Sequence, residues 1–133
     1  MISMPRIARN CLDTSFFHVM VQGINREYIF QKERYINRYL QLLKEKLNRD
    51  SLEIIAYCIM NNHAHLLMQV KDIEELSKYM QKVNSTYAQY FNHMETNRVG
   101  YVFRDRYKSE PILDRRQLIQ CVKYIHRNPV KAN

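Results

Sequence analysis

His63 and His65 stand one residue apart at the head of a strand-forming run, Ala64–Val70. On a strand, residues i and i+2 point to the same face, about 7 Å apart at Cα. Two imidazoles so placed converge on one divalent ion, for which the neutral ring is a common ligand. Chance competes with this reading, since five histidines in 133 residues give about 0.2 such pairs at random. The plainer alternative is a pair of half-buried strand histidines satisfied by backbone or water.

Tyr124 and Asn128 form the second feature. The segment after Asp114 predicts a helix with an apolar stripe of Leu118, Ile119, Val122 and Ile125. At 100° per residue Tyr124 falls about 150° from the centre of that stripe. Asn128 lies one turn further on, on the same side as Tyr124. A phenol with an ordinary pKa near 10 is a weak nucleophile and needs a metal, a cation or a base beside it. Taken alone, the pair also fits an exposed tyrosine with a C-capping asparagine before Pro129. His18 reads as structural, and His93 and His126 as helix-end electrostatics. Glu74-Glu75 fits the start of a helix rather than a catalytic pair. The sequence has no phosphate-cradling glycine loop, GxSxG or HExxH.

The elements that must position these residues alternate in type. Ser15–Gln22 is a β-branched and aromatic run closed by Gly23, hence a strand. Ile36, Tyr39, Leu40, Leu43 and Leu47 predict a helix from about Glu33 to Asn48. Glu53–Met60 and Ala64–Val70 predict a hairpin turning at Asn61-Asn62. Asp72 followed by Glu75 reads as a capping box for a helix burying Leu76, Met80, Val83, Tyr87 and Phe91. A short strand pair, Tyr101–Phe103 and Tyr107–Ile112, follows Gly100. The last helix is expected to end at Pro129, because proline disfavours the helical region in the residue before it. The order β-α-β-β-α-β-α predicts an α+β, ferredoxin-like (split βαβ) antiparallel sheet with helices packed on one face and a C-terminal helix carrying Tyr124.

Length and charge narrow the function classes. The 133 residues fit a single domain, 1–133. Two Gly and three Pro exclude collagen-like and proline-rich architectures. No apolar run is long enough for a transmembrane helix, and the N-terminal stretch lacks the apolar core of a secretory signal, so the cytoplasm is expected. Cys11, Cys58 and Cys121 make no CxxC pair and read as reduced thiols. Twenty-one Lys and Arg against thirteen Asp and Glu give a net charge of +8. Between Thr96 and Asn133, nine basic and three acidic residues hold +6 of it. Such a basic third attracts polyanions, most often nucleic acid, although a merely solvated basic face fits equally well. Ten Tyr and five Phe add surface on which unpaired bases stack, a weak hint because tyrosine also fills cores.

Together these segments resemble a family. Asn62-His63-Ala64-His65-Leu66-Leu67 is similar to the histidine–hydrophobic–histidine (HUH) box of single-tyrosine, insertion-sequence transposases. Tyr124-Ile125-His126-Arg127-Asn128-Pro129-Val130-Lys131-Ala132 is similar to their nucleophile helix. The REP-associated tyrosine transposases give the nearest pattern. It includes Met4-Pro5-Arg6, Phe17-His18-Val19, Gly23 through Arg26, Ile29-Phe30, Tyr90-Phe91-Asn92, and Gly100 with Phe103, Arg106 and Tyr107. Asn61 stands where relatives often carry proline, and Arg104-Asp105 replaces a commoner Gln-Gly. Both departures concern substrate choice more than chemistry. Many relatives continue past the point of Asn133, which raises the expectation of a truncated or degenerate copy.

The resemblance implies a metal-dependent single-strand DNA endonuclease and strand transferase. His63 and His65 would hold Mg²⁺ or Mn²⁺ with Asn128 as third ligand, and Tyr124 would be the nucleophile that forms a 5′-phosphotyrosine. Arg104, Arg106, Lys108, Arg115, Arg116 and Lys123 would contact the phosphates of a hairpin-forming single strand. Family members occur as dimers with shared sites and as monomers, so both states stand open. A non-catalytic, domesticated nucleic-acid-binding module on the same frame is the competing expectation. Whether Tyr124 meets the two histidines decides between them.

Overall fold

The computed structural model describes residues 15–96 and 98–132, with side chains described as far as Arg127. Met4-Pro5-Arg6 and Cys11 lie outside the described residues. Four strands form one antiparallel sheet: β1 (Ser15–Gln22), β2 (Leu52–Ile59), β3 (His63–Val70) and β4 (Lys108–Ile112), in the spatial order β2-β3-β1-β4. Helices α1 (Glu33–Glu45) and α2 (Ile73–Met94) follow β1 and β3, and α3 (Arg115–Ala132) follows β4. This is the split βαβ order expected from the sequence, with the two long strands β1 and β3 in the centre.

The period-2 alternation of β1 and β3 divides the core in two. Val19, Val21, Ala64, Leu66, Met68 and Val70 point to one face, where α1 and α2 cover them with Tyr39, Leu42, Met80, Val83 and Tyr87. The tyrosines of that core are building material rather than base-stacking surface. Tyr39 donates to Asn84 Oδ1 (2.8 Å), Tyr79 to the Leu43 carbonyl (2.5 Å) and Tyr87 to the Ile29 carbonyl. Their apolar bodies are thereby buried without orphaned hydroxyls. The opposite face carries Phe16, Cys58 and Leu67, and α3 packs there through Leu118, Cys121 and Ile125. The C-terminal helix therefore occupies its own side of the sheet, apart from α1 and α2.

Several local expectations are corrected. α1 ends at Glu45 rather than near Asn48, because Asn48 forms a turn: its carbonyl accepts from Ser51 and Leu52 and its side chain from the Asp50 amide. Tyr101–Phe103 and Tyr107–Ile112 do not pair with each other. Phe103 makes a single bridge to Gly23, while β4 adds to β1, whose edge was free to accept it. Asp72 caps α2 by accepting from the Glu74 amide at 2.9 Å, while the Glu75 carboxylate lies 3.8 Å from Lys78. In α3, Ile119 is 44% exposed and Cys121 takes its place in the buried stripe. Finally, α3 continues through Pro129 to Ala132, so the proline lies within the helix rather than ending it.

Candidate active site

Strand register brings the chemistry together. Within β3, His63 and His65 alternate with Ala64 and Leu66, so both imidazoles leave the sheet on the side that α3 covers. β1 pairs antiparallel with β3, Met20 opposite His65 and Gln22 opposite His63. His18 has the same parity as Met20, so its ring joins the same face. It lies beside His65, ring centroids 5.0 Å apart, with His18 Nε2 2.9 Å from His65 Nδ1. The His63 and His65 rings are 4.9 Å apart and nearly perpendicular.

α3 then delivers Tyr124. Leu118, Cys121 and Ile125 seat the helix on the sheet, and the phase that excludes Tyr124 from this stripe leaves it 46% exposed. Its ring meets His65 edge-on at 5.2 Å between centroids and His18 at 6.4 Å. Tyr124 thus stands against His65 and His18, and His63 lies beside His65 in the same cluster. The Asn128 backbone lies one turn further along α3, and its side chain lies outside the described residues.

The hairpin turn fixes the other end of the pair. The Met60 amide donates to the His63 carbonyl at 2.8 Å, closing the two-residue loop Asn61-Asn62. The β1–α1 connection grips that loop, with Gly23 N–H donating to the Asn62 carbonyl and Phe30 N–H to the Asn61 carbonyl, both at 2.9 Å. Gly23 is required by proximity, since a Cβ there would run into the Glu27 carbonyl. Next to it, Asn25 and Arg26 sit in the left-handed region (φ 53° and 59°), a strained pair for non-glycine residues. Asn62 Oδ1 in turn lies 2.6 Å from His63 Nδ1.

The electrostatics favour neutral imidazoles. His65 is 4% exposed, and burial, followed by repulsion from His18 and His63, pushes its pKa down to about 4. Burial also holds His18 and His63 below the ordinary value, with Glu110, opposite His18 on β4, pulling His18 part of the way back. His65 Nε2 is buried with no hydrogen-bond partner. Such an atom costs about 1–3 kcal/mol unless something binds it. Neutral rings with a free nitrogen suit a divalent cation, so the donor set fits one. Among the described residues no group of three His, Cys, Asp or Glu is placed to hold a metal.

The basic residues singled out in the sequence are all exposed: Arg104, Arg106, Lys108, Arg115, Arg116 and Lys123. Lys108 pairs with Met20 and so lies on the same sheet face as the histidines; Lys123 adjoins Tyr124. Arg104 is tied to the end of β1 by its backbone amide, which donates to Gln22 O at 2.8 Å. Cys58 and Cys121 are free thiols buried in the core beneath α3. His18 is the residue that sequence reasoning passed over. Its parity was readable, but its neighbour on β3 was not until the register was known.

Comparison with known proteins now decides the family. The family model for IS200-like transposases matches residues 11–128. This chain belongs to the IS200-like transposase family. The transposase is 24% identical over 125 residues to a Haemophilus influenzae protein named as a REP-associated tyrosine transposase, covering 87% of this chain and 69% of that one. Among solved structures it resembles a REP-associated tyrosine transposase bound to a REP hairpin, with a TM-score of 0.68 at 19% identity over 88% of this chain and 67% of that chain. A Deinococcus radiodurans protein described as a transposase gives 0.61 at 16% identity, over 86% and 90%. At these identities the structural likeness establishes the fold. No helix among the described residues of the transposase is long and apolar enough to cross a membrane.

Proposed function

We propose that this IS200-like transposase is a metal-dependent endonuclease and strand transferase acting on hairpin-forming single-stranded DNA, with Tyr124 as nucleophile. The observation that carries this reading is the approach of the Tyr124 ring to His65, 5.2 Å between centroids, beside a buried Nε2 with no partner. The relative solved with a REP hairpin motivates the choice of substrate.

In this mechanism the exposed cations on β4, α3 and the loop before β4 hold backbone phosphates. Tyr124, held at the edge of the site by the buried stripe of α3, directs its oxygen at a scissile phosphorus. The Tyr124 O–P bond forms as the P–O3′ bond breaks. The products are a 5′-phosphotyrosine and a free 3′-hydroxyl, and the phenolic proton ends on the 3′ oxygen. Because the phosphodiester energy is kept in the new ester, a 3′-hydroxyl of another strand end reverses the step. His63 and His65, with Asn128, would hold Mg²⁺ or Mn²⁺, which when bound polarises the scissile phosphate and steadies its developing charge. The neutral state of both imidazoles is the state such binding requires.

The test is cleavage of a labelled, hairpin-bearing single strand with Mn²⁺ or Mg²⁺, read on a denaturing gel. Wild type should give a protein-linked product that EDTA, His65→Ala and Tyr124→Phe each abolish. Tight binding with no cleavage under any metal would refute the enzyme and support the non-catalytic DNA-binding module.

A further inference from the structure

We infer that His18 and Asn62 are positioning residues that lock His65 and His63 in the tautomer with the proton on Nδ1, so that both Nε2 lone pairs face one point. This rests on the metal reading above for its purpose and for the direction of the His65 bond, but not for the contacts themselves. Each of the two candidate ligands makes a hydrogen bond through Nδ1, and neither bond comes from the other ligand. His63 Nδ1 lies 2.6 Å from Asn62 Oδ1, and His65 Nδ1 lies 2.9 Å from His18 Nε2.

The first bond has one sense. Asn62 Nδ2 is directed at the Arg26 carbonyl, 3.5 Å away, which leaves Oδ1 for His63. An amide oxygen only accepts, so His63 Nδ1 must donate, and its Nε2 is left unprotonated. The loop around Asn62 is gripped by Gly23 and Phe30, and the adjoining left-handed pair Asn25-Arg26 sets the Arg26 carbonyl in place. The strained backbone beside the site thereby orients one amide.

The second bond could run either way, and the buried atom decides. If His18 donated, His65 would carry its proton on Nε2, inside the protein and without an acceptor. If His65 donates from Nδ1, the buried Nε2 presents a lone pair, which a cation can satisfy. Metal-bound histidines commonly donate their second nitrogen to a fixed acceptor, and losing that acceptor weakens metal binding. Here one acceptor is an amide from the hairpin turn and the other an imidazole from the neighbouring strand. Glu110 stands opposite His18 on β4, on the same sheet face.

The experiment has two readouts on the full chain. Long-range ¹H–¹⁵N spectra of metal-free, histidine-labelled protein at neutral pH should show His63 and His65 protonated at Nδ1 and bare at Nε2. A proton on Nε2 of either ring overturns the inference. Mn²⁺ titration should then show His18→Leu and Asn62→Leu binding about 10- to 100-fold more weakly, with affinity restored in His18→Gln and Asn62→Asp, which keep an acceptor oxygen. Equal affinity across all four variants also overturns it. If wild type binds no Mn²⁺ while both tautomers are as stated, the metal assignment fails and the hydrogen-bond assignment stands. The spectra need no variant, so a misfolded substitution leaves the inference open to refutation.

Discussion

Burying an imidazole in its neutral form makes a transposase of this build acid-sensitive, and the size of the effect follows from His65. Its pKa is about 4 in the folded chain, against about 6.5 when unfolded. Between those values the unfolded state binds a proton that the folded state refuses, so stability rises with pH across this window. The full difference is about 3 kcal/mol, at 1.36 kcal/mol per pK unit. It is complete above the unfolded value and disappears as pH falls from about 6.5 to about 4. Roughly 2 kcal/mol of it goes between pH 7 and pH 5, a sizeable share of the 5–15 kcal/mol typical of a domain. His18 and His63, also held low by burial, act in the same direction. The assay is urea unfolding in EDTA at pH 7, 6 and 5. At a slope of about 1–3 kcal/mol per molar, the midpoint should drop by about 0.7–2 M. In His65→Gln the drop should shrink, because that side chain has no proton to bind. An equal drop in both proteins would show that His65 does not carry the acid sensitivity, and the burial argument would be wrong.

Two further outcomes are expected. If the six exposed cations named above all meet phosphates, the logarithm of single-strand affinity should fall with the logarithm of salt at a slope of about −4, and Arg115→Glu with Arg116→Glu should flatten it to about −3; a salt-independent affinity measured by anisotropy would contradict this. Ile125→Ala should destabilise the chain by about 2–5 kcal/mol, because Ile125 is fully buried under α3; cleavage should fall with it as Tyr124 loses its seat, and unchanged thermal unfolding would refute that anchoring role.

Much of this site could be read before the fold was known. The His63/His65 pair needed only the period of a strand, and the exposure of Tyr124 needed only helical phase. β1 was bounded at Ser15 and Gln22 from composition alone, because a β-branched run met Gly23. The failures share a cause. The partner of β4 is β1, which is distant in sequence, so local patterns suggested a hairpin at Tyr101–Ile112 that the sheet does not form. Ile119 and Cys121 exchanged places because the stripe of α3 is set by the sheet beneath it rather than by hydropathy. His18 was discounted as a lone strand histidine; its meaning lies in a contact across 47 residues of chain. Long-range register, not local propensity, completes the site.

The central claim is that Tyr124 becomes joined to DNA. Its most direct test is mass spectrometry of a tryptic digest after the protein has reacted with hairpin-bearing single-stranded DNA and Mn²⁺, followed by nuclease trimming. Cleavage after Lys123 and Arg127 releases Tyr124 in the short peptide Tyr124-Ile125-His126-Arg127. That peptide should carry a 5′-nucleotide phosphate on the tyrosine, and the adduct should vanish in Tyr124→Phe. A nucleotide found on any other residue, or cut DNA bearing a free 5′-phosphate with no protein attached, would contradict the account.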